Sequence, residues 1–382
     1  MATITKRGET YRIRTSCGYD VNGKQVMRSM TYKPLPGMSE KQIDKEVNRQ
    51  AVLFEENCRQ GQLLTASKFE AFAREWFKNY AELTLKKLTL CSYHRMEKRA
   101  YDAFGHLRID RITPNDIQKF IRSLVADGLA PSTVRNYVRF VSTILNYAIK
   151  KRIIQYNPCV TADYPKLVEK EPEMYSIEEI NQMLGLLCRE KYEDMPYAVY
   201  FILAAYTGCR RGEILGFEWK DIDFANGGVS ISRASYYDSV ECEQFTDTPK
   251  SLTSNRTLKL PANVMQFLAE YREWQADQRE FAGGSWVETD RLFTKWNGEP
   301  MSYQAPEYWL KVFCEATGMR KLKIHSFRHF YASLLIHNGV DVVTVQNALG
   351  HSQPSTSLNI YSHAFKTAQT RTMDVLTASI GF

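Results

Sequence analysis

The sequence has 382 residues, of which 44% are hydrophobic and 24% are charged, and its formal net charge is +7. This length accommodates two or three folded domains. A run of about 18 apolar residues, the minimum for a membrane span, does not occur, and the stretch MATITKRGET lacks the apolar centre of a secretory signal. We therefore expect a cytoplasmic protein whose eight cysteines, none of them in a C-x-x-C pair, stay reduced.

The positive charge is confined to the first part of the chain. Residues 1–64 contain 11 Lys and Arg against 7 Asp and Glu, a net of +4. Residues 65–165 contain 17 against 9, a net of +8, whereas residues 166–382 contain 22 against 27, a net of −5. A basic excess restricted to certain modules favours a polyanionic partner over a general effect on solubility.

The first 60 residues predict a small sheet followed by one helix. Tyr11 and Ile13 alternate with Arg12 and Arg14, which is the two-residue period of a strand. The stretch DVNGK contains an Asn-Gly pair, a strong signal for a hairpin turn, and QVMRSMTYK continues as a further strand. The stretch MSEKQIDKEVNRQAVLFEENCRQG then has the apolar spacing of a helix. A three-stranded sheet with one helix is thus expected for residues 1–62.

Residues 65–155 predict a group of helices. In TPNDIQKFIRSLVADG, Thr113 is placed as the helix N-cap and Pro114 at the first helical position. The next predicted helix, PSTVRNYVRFVSTILNYAIKK, buries an apolar stripe that begins at Val134. Its opposite face carries four polar residues, Arg135, Arg139, Ser142 and Asn146.

A proline-rich stretch without helical period, about residues 156–175, is the expected linker to a further domain. Structure restarts with a capping box of Ser176 and Glu179, and PYAVYFILAAYTG predicts a helix buried in a large core. Residues 228–260 predict strands, and helices return from about residue 262. The expected fold class is multidomain and mainly α, with a small N-terminal three-stranded sheet plus helix, a helical domain, and a mainly α domain containing a small sheet or hairpin.

Five of the seven histidines lie between His325 and His363. HSFRHFYASLLIHNG predicts a helix on which His325 and Arg328, three residues apart, share a face. DVVTVQNALGH predicts a second helix that stops just before His351, and STSLNIYSH starts a third that carries Tyr361. Close packing of these short helices is expected to bring His325, Arg328, His351 and Tyr361 together.

Simpler interpretations exist for each of these residues taken alone. A histidine at a helix end is often a surface or capping group, a tyrosine near a C-terminus often packs, and an arginine beside an apolar stripe often lies on a solvated face. A structural zinc site is disfavoured, because the five histidines lack its compact spacing and no cysteine lies near them in sequence.

Four stretches in a fixed order make a joint pattern: AYTGCRRGEILGF, DTPKSLTSNRTLKLP, HSFRH and LGHSQPSTSLNIYSH. Together they resemble the signature of the tyrosine recombinase family, the site-specific DNA integrases of phages and conjugative elements. The resemblance spans roughly residues 170–365. It implies an arm-site DNA-binding domain at 1–62, a core-site DNA-binding helical domain at 63–165, and a catalytic domain at 172–382 with a C-terminal tail that docks on a neighbouring protomer.

The resemblance also implies a role for each matched residue. Tyr361 is the expected nucleophile, and Arg210, which fits the TGxR pattern better than Arg211, is expected to hold the phosphate with Arg328. The remaining expected roles are general acid for Lys250, acid or base for His325, phosphate contact or support for His351, and support for Glu213. Lys259 is a rival for the lysine position. The expected DNA contacts are Arg135, Arg139, Ser142 and Asn146 for the core site, and Arg12, Arg14 and Arg28 for the arm site.

The implied reaction is attack of the Tyr361 hydroxyl on a DNA phosphodiester, which leaves a 3′-phosphotyrosine link and a free 5′-hydroxyl. A phenol with a pKa of about 10 needs a group that takes its proton, and arginine forks match the charge that develops on the phosphate. No cofactor and no metal are implied. The expected partners are double-stranded DNA with core and arm attachment sites, other copies of the chain as a synaptic tetramer, and accessory proteins that set direction or bend DNA.

Four alternatives remain open at this point. A Xer-type resolvase of chromosome or plasmid dimers would lack the extra N-terminal module. A type IB topoisomerase shares the active-site chemistry but relaxes DNA without pairing sites. A non-catalytic DNA-binding regulator on the same fold would have lost a tyrosine or an arginine, and a histidine-metal hydrolase would lose its activity in EDTA.

Overall fold

The computed structural model of the protein describes residues 2–19, 25–59, 67–167, 173–187, 194–247 and 255–350. The chain separates into two units, residues 1–168 and residues 169–382. None of the described helices is both long enough and apolar enough to cross a bilayer.

The predicted N-terminal sheet and helix are confirmed. Three antiparallel strands pair in the order β1-β2-β3, and helix α1 packs against one face of the sheet. The core of this module is small: Ile13 of the central strand is fully buried against Ala51 and Phe54 of the helix. The bounds are β1 Thr3–Arg7, β2 Thr10–Tyr19, β3 Gln25–Tyr32 and α1 Glu40–Arg59.

The helical part of the first unit has an aromatic core. Trp76 is fully buried and its ring lies 6.5 Å from that of Phe140, whereas Phe104 and Phe120 meet edge to face. The predicted N-cap is confirmed, since Thr113 and Asp116 form a reciprocal capping box. The helices are α2 Phe69–Trp76, which continues through a π-helical turn at Phe77–Ala81 into α3 Glu82–Thr84, then α4 Lys87–Phe104, α5 Pro114–Ala126 and α6 Pro131–Lys150.

The first part of the predicted linker is packed against the helical unit. The Asn157 side chain donates to the carbonyl and hydroxyl oxygens of Ser142 and to Oδ1 of Asn146, and it accepts from the Cys159 N–H. Further along, Gln118 and Asp163 exchange two hydrogen bonds. The proline-rich composition excludes a long helix here, but a chain without helical period still packs when its polar groups find partners.

The cysteines differ from expectation at one position. Cys58, which is buried at the end of α1, is disulfide-bonded. Cys91, Cys159, Cys209, Cys242 and Cys314 form no disulfide, as predicted. The lack of a C-x-x-C pair does not exclude a disulfide at Cys58. Disulfide formation depends on which distant cysteines the fold brings together, with Cα atoms within about 6 Å of one another.

The second unit is built around α8, the apolar helix predicted to lie in a core. Tyr200 and Phe201 of this helix are fully buried, and Phe201 packs on Phe327. Ser176 caps α7 together with Glu179, as predicted. The helices are α7 Ile177–Leu186, α8 Met195–Thr207, α9 Arg211–Leu215, α10 Ala262–Ala282, α11 Ala305–Thr317, α12 His325–His337 and α13 Val342–Leu349.

Two small antiparallel sheets lie in the second unit, where strands were predicted. One has the order β4-β5-β8 and the other pairs β6 with β7. The segment between β7 and β8, which includes residues 248–254, is outside the described residues. The strands are β4 Ile222–Asp223, β5 Gly228–Ile231, β6 Ala234–Asp238, β7 Glu243–Asp247 and β8 Arg256–Lys259.

Asn157→Ala should destabilise the helical unit by about 1–3 kcal/mol, because it leaves the buried Cys159 N–H without its acceptor and frees Ser142 from its donor. The control is Asn146→Ala, which removes only one contact of the Asn157 side chain. Urea unfolding of both variants checks the difference, and equal unfolding free energies would show that the 157–165 segment is not held through Asn157.

Candidate active site

Arg328 is a deeply buried residue of the predicted constellation. It lies in the first turn of α12 and only 2% of it is exposed. Its Nη1 donates to the Gly208 carbonyl at 2.9 Å, and its Nη2 donates to the Leu349 carbonyl at 2.7 Å. Burial, with a further contribution from Arg210, lowers the pKa of Arg328 to about 10, so the guanidinium is charged at neutral pH.

Arg210 and Glu213 form a pair at the start of α9. The Arg210 backbone N–H donates to Oε2 of Glu213 at 3.0 Å, and Arg210 Nη1 donates to Oε1 at 2.6 Å. Glu213 therefore caps the helix and orients the arginine at the same time. Because 37% of the Arg210 side chain is exposed, this guanidinium faces solvent, whereas Arg328 does not.

Arg256 is a third arginine at the site, and the sequence analysis missed it. It lies on β8, its side chain is 7% exposed, and its Nη2 donates to Oε2 of Glu213 at 3.0 Å. Its Nε donates to the Ala348 carbonyl at 2.6 Å. The alternation of side chains along β8 could have indicated its role. Arg256 shares the inward face of β8 with Leu258, and a charged side chain that faces inward needs a partner.

The three arginines converge on the C-terminal end of α13. Consecutive carbonyls of Ala348, Leu349 and Gly350 accept hydrogen bonds from Arg256, Arg328 and Arg210, respectively, the last at 3.5 Å. The final carbonyls of a helix have no intrahelical partner and form the negative end of its dipole. We call Arg210, Arg256, Arg328 and Glu213 the arginine cluster; it holds the backbone immediately ahead of residue 351.

Glu213 is a buried carboxylate whose charge is maintained by its neighbours. Burial alone would raise the pKa of Glu213, but Arg256 and Arg210 outweigh that effect and hold it below its usual value. Glu213 is therefore ionised at neutral pH, and three guanidinium groups with one carboxylate leave the cluster with an excess of positive charge. Such a site suits an anionic group with several oxygens.

His325 lies beside the cluster at the N-terminal end of α12. Its ring meets that of His329 edge to face at 4.9 Å. Although His325 is exposed at the protein surface, the surrounding protein reduces its solvation, and this together with the nearby His329, Arg328 and Arg210 lowers its pKa to about 4. Burial and Arg328 also lower the pKa of His329. His325 is thus a neutral imidazole at pH 7, able to accept a proton.

Lys250, His351 and Tyr361 lie outside the described residues, as does His363. Of the two lysines considered for the hairpin position, Lys259 is described. It lies on the exposed face of β8, opposite to Arg256, and its Nζ donates to the Asn226 carbonyl at 2.7 Å. Lys259 therefore points away from the arginine cluster.

The polar face of α6 is partly covered by the chain that follows the helix. Arg135 stacks over the Tyr164 ring at 4.9 Å and donates to the Pro165 carbonyl, and Ser142 and Asn146 accept from Asn157. Arg139 is exposed. Among the four residues predicted for core-site contact, Arg139 and Asn146 are exposed, and Asn146 is already bonded to Asn157.

The three arginines predicted for the arm site do not share one face. Strand register pairs Arg12 with Thr5 and Thr31, and Arg14 with Thr3 and Ser29. These residues lie on the face away from α1, together with Arg7. Arg28 pairs with Thr15, on the face that carries Ile13 and packs against the helix, and its Nε is buried.

Two family models match the chain. The model of the phage integrase family matches residues 175–368, and that of the phage integrase central domain matches residues 69–163. The chain belongs to the phage integrase family. It is a tyrosine recombinase of integrase type, an enzyme that breaks and rejoins DNA at specific sites.

Relatives and solved structures agree with this assignment. A XerC-like tyrosine recombinase of Caldanaerobacter subterraneus subsp. tengcongensis is 26% identical over 390 aligned residues, which cover 96% of each protein. The ICEBs1 integrase of Bacillus subtilis is 25% identical over 281 residues, which are 74% of this chain and 75% of that integrase.

Two solved structures show the shared fold. The Tn1549 transposon integrase in complex with transposon right end DNA has a TM-score of 0.68 at 18% identity, and the match covers 81% of this chain and 100% of that one. The lambda integrase tetramer bound to a Holliday junction has a TM-score of 0.54 at 16% identity, covering 93% of this chain and 94% of that one.

Gly208→Ala should destabilise the recombinase by about 3 kcal/mol. Gly208 has φ +58°, and an added Cβ would lie 2.5 Å from Cδ1 of Tyr331. The resulting shift would also move the carbonyl that accepts from Arg328. Gly318→Ala, at φ +70° with open space around the site, is the control and should cost only about 1 kcal/mol. Thermal unfolding compares them, and equal losses would show that Tyr331 does not pack tightly on Gly208.

Proposed function

We propose that this recombinase cleaves DNA through a 3′-phosphotyrosine intermediate formed by Tyr361, with the scissile phosphate bound at the arginine cluster. The observation that carries the proposal is the convergence of Arg210 and Arg328, held by Glu213 and by the end of α13, next to neutral His325.

The phosphate fits the arginines by charge and by donor count. Each guanidinium has five N–H donors, and the contacts of Arg210 with Glu213 and Gly350 engage two of them, one on each terminal nitrogen. A phosphodiester carries one negative charge, and attack at phosphorus places more charge on the non-bridging oxygens. Forked donors held in place by Glu213 and the α13 carbonyls stabilise that charge without reorganisation during the reaction.

We assign proton transfer to His325 and Lys250. His351 has the role of phosphate contact or support. Neutral His325 accepts the phenol proton of Tyr361 directly or through the phosphate, and Lys250 protonates the departing 5′-oxygen. The bond that breaks is the P–O5′ bond and the bond that forms joins phosphorus to the tyrosine oxygen. The ester energy is retained, so rejoining needs no nucleotide hydrolysis.

The modules divide the DNA between them. We assign the core site to residues 63–165, where Arg139 is exposed, and the arm site to residues 1–62. The face of the N-terminal sheet opposite α1 carries Arg7, Arg12 and Arg14 among Thr and Ser side chains. A narrow β-sheet fits the major groove of B-DNA, and such side chains contact phosphates and base edges.

The partners follow from what related integrases bind. Solved structures contain the Tn1549 integrase with transposon DNA and the lambda integrase as a tetramer on a Holliday junction. By analogy, this chain assembles as a homotetramer on paired DNA sites, and accessory proteins set the direction of recombination. The N-terminal module and the relation to an ICEBs1 integrase favour an integrase of a mobile element over a Xer-type resolvase.

Tyr361→Phe should bind a core-site duplex like the wild type and form no covalent adduct on a nicked suicide substrate, because only the hydroxyl is lost. Denaturing electrophoresis measures the adduct. The matched control is Tyr331→Phe, whose ring packs at Gly208 and which should still form adduct. An adduct on Tyr361→Phe would place the nucleophile elsewhere.

EDTA should leave the adduct yield of the wild-type protein unchanged, since guanidinium groups stabilise the phosphate charge.

Arg12→Ala with Arg14→Ala should weaken binding to arm-type DNA strongly and leave adduct formation on the core substrate intact, because the open sheet face would lose two cations. Arg28→Ala removes the same type of charge from the helix-covered face and serves as the control. Binding is measured by fluorescence anisotropy over a salt series, in which each lost phosphate contact should reduce the salt slope by about 1. Equal effects of the Arg28 and Arg12/Arg14 changes would contradict the assignment of this face.

A further inference from the structure

Arg256 lies at a junction of three segments that the reaction depends on. It projects from β8, directly after the segment containing Lys250. It donates to Glu213 on α9, which orients Arg210, and to the Ala348 carbonyl at the end of α13, two residues ahead of Gly350. Its Nη2 also lies 3.5 Å from Sγ of Cys209. The side chain is nearly as buried as that of Glu213.

Burial separates the role of Arg256 from the roles of the other arginines. Arg210 presents a side chain that is 37% exposed, so a phosphate from solution can reach it, whereas the Arg256 side chain is 7% exposed and its terminal groups face Glu213 and Cys209. A buried guanidinium with an ionic partner on one side and a helix end on the other fixes the positions of both.

We propose that Arg256 is a positioning residue for strand cleavage, which holds Glu213, and through it Arg210, in register with the end of α13. The proposal rests on the proposed function for its effect on cleavage, but its physical basis, the coupling of Arg256 to Glu213, stands independently.

Loss of Arg256 has a predictable electrostatic consequence. Arg256 is the foremost of the neighbours that hold the pKa of Glu213 down, and burial acts in the opposite direction. Arg256→Gln therefore raises the pKa of Glu213. Among the residues that the structure describes, the other titratable or charged groups that face Glu213 are Arg210 beside it, Cys209, Arg328 and His325 on α12, and Tyr236 on β6. Between pH 5.5 and 8.5 these keep one charge state, because the pKa values of Cys209 and Tyr236 are raised and that of His325 is about 4.

Stability and cleavage should then respond to pH in opposite directions. In the wild type Glu213 is ionised and paired across this range. In Arg256→Gln its pKa is higher, and an ionised buried carboxylate with one partner fewer costs stability. The Tm deficit of the variant should therefore grow as pH rises through the raised pKa of Glu213. Its cleavage rate relative to wild type should recover over the same range, because ionised Glu213 orients Arg210 again.

The experiment compares wild type, Arg256→Gln, Arg256→Lys and Lys259→Gln by Tm, core-site Kd and single-turnover adduct formation at several pH values. At pH 6.5 Arg256→Gln should cleave about 100-fold more slowly with Kd nearly unchanged. Arg256→Lys keeps a charge beside Glu213 and should recover part of the rate with a flat pH ratio. Lys259→Gln, on the exposed face of the same strand, should match the wild type.

Three results would overturn the proposal: a Tm deficit of Arg256→Gln that does not change with pH, a rate ratio that falls together with Tm, or cleavage equal to the wild type. If the wild type itself forms no adduct, the proposed function fails, and the Tm series alone still decides whether Arg256 sets the ionisation of Glu213.

Discussion

The site depends on one buried carboxylate. Glu213 accepts from two guanidinium groups and from the Arg210 backbone N–H, and without these partners a charge at 3% exposure would be too costly to keep. Because it is ionised, Glu213 fixes Arg210 at the start of α9 and Arg256 on β8. The positions of the two arginines are thus consequences of a single anion placed in a low-dielectric environment.

The end of α13 supplies the complementary constraint. Three successive carbonyls each accept from a different arginine, so α9, β8 and α12 all meet at one helix terminus. This arrangement explains why elements far apart in sequence form one site: the unpaired carbonyls need donors, and the arginines need acceptors other than water. The residues that follow α13 start from a backbone position that the cluster determines.

The sequence predicted the positions of helices and strands better than it predicted which residues lie on which face of them. Periodicity located the N-terminal sheet and the buried helix α8, and the family resemblance located Arg210 and Arg328, because each depends on a local pattern. The sequence-based prediction grouped Arg28 with Arg12 and Arg14 as arm-site contacts. The face on which a residue of β3 lies depends on strand register, which the two-residue period alone does not determine. Arg256 was overlooked because its importance comes from Glu213 and Ala348, which are 43 and 92 residues away. The packed 157–165 segment and the Cys58 disulfide likewise depend on partners that sequence spacing does not reveal.

In the proposed reaction, the arginine cluster neutralises the charge of the scissile phosphate. The most direct measurement compares Arg210→Ala on two suicide substrates, one with a natural phosphodiester at the cleavage position and one with an uncharged methylphosphonate there. We expect the variant to fail on the natural substrate and to recover adduct formation on the methylphosphonate, because the charge that Arg210 stabilises is gone. Equal failure on both substrates would contradict a charge-neutralising role and would leave Arg210 as part of the scaffold around Glu213.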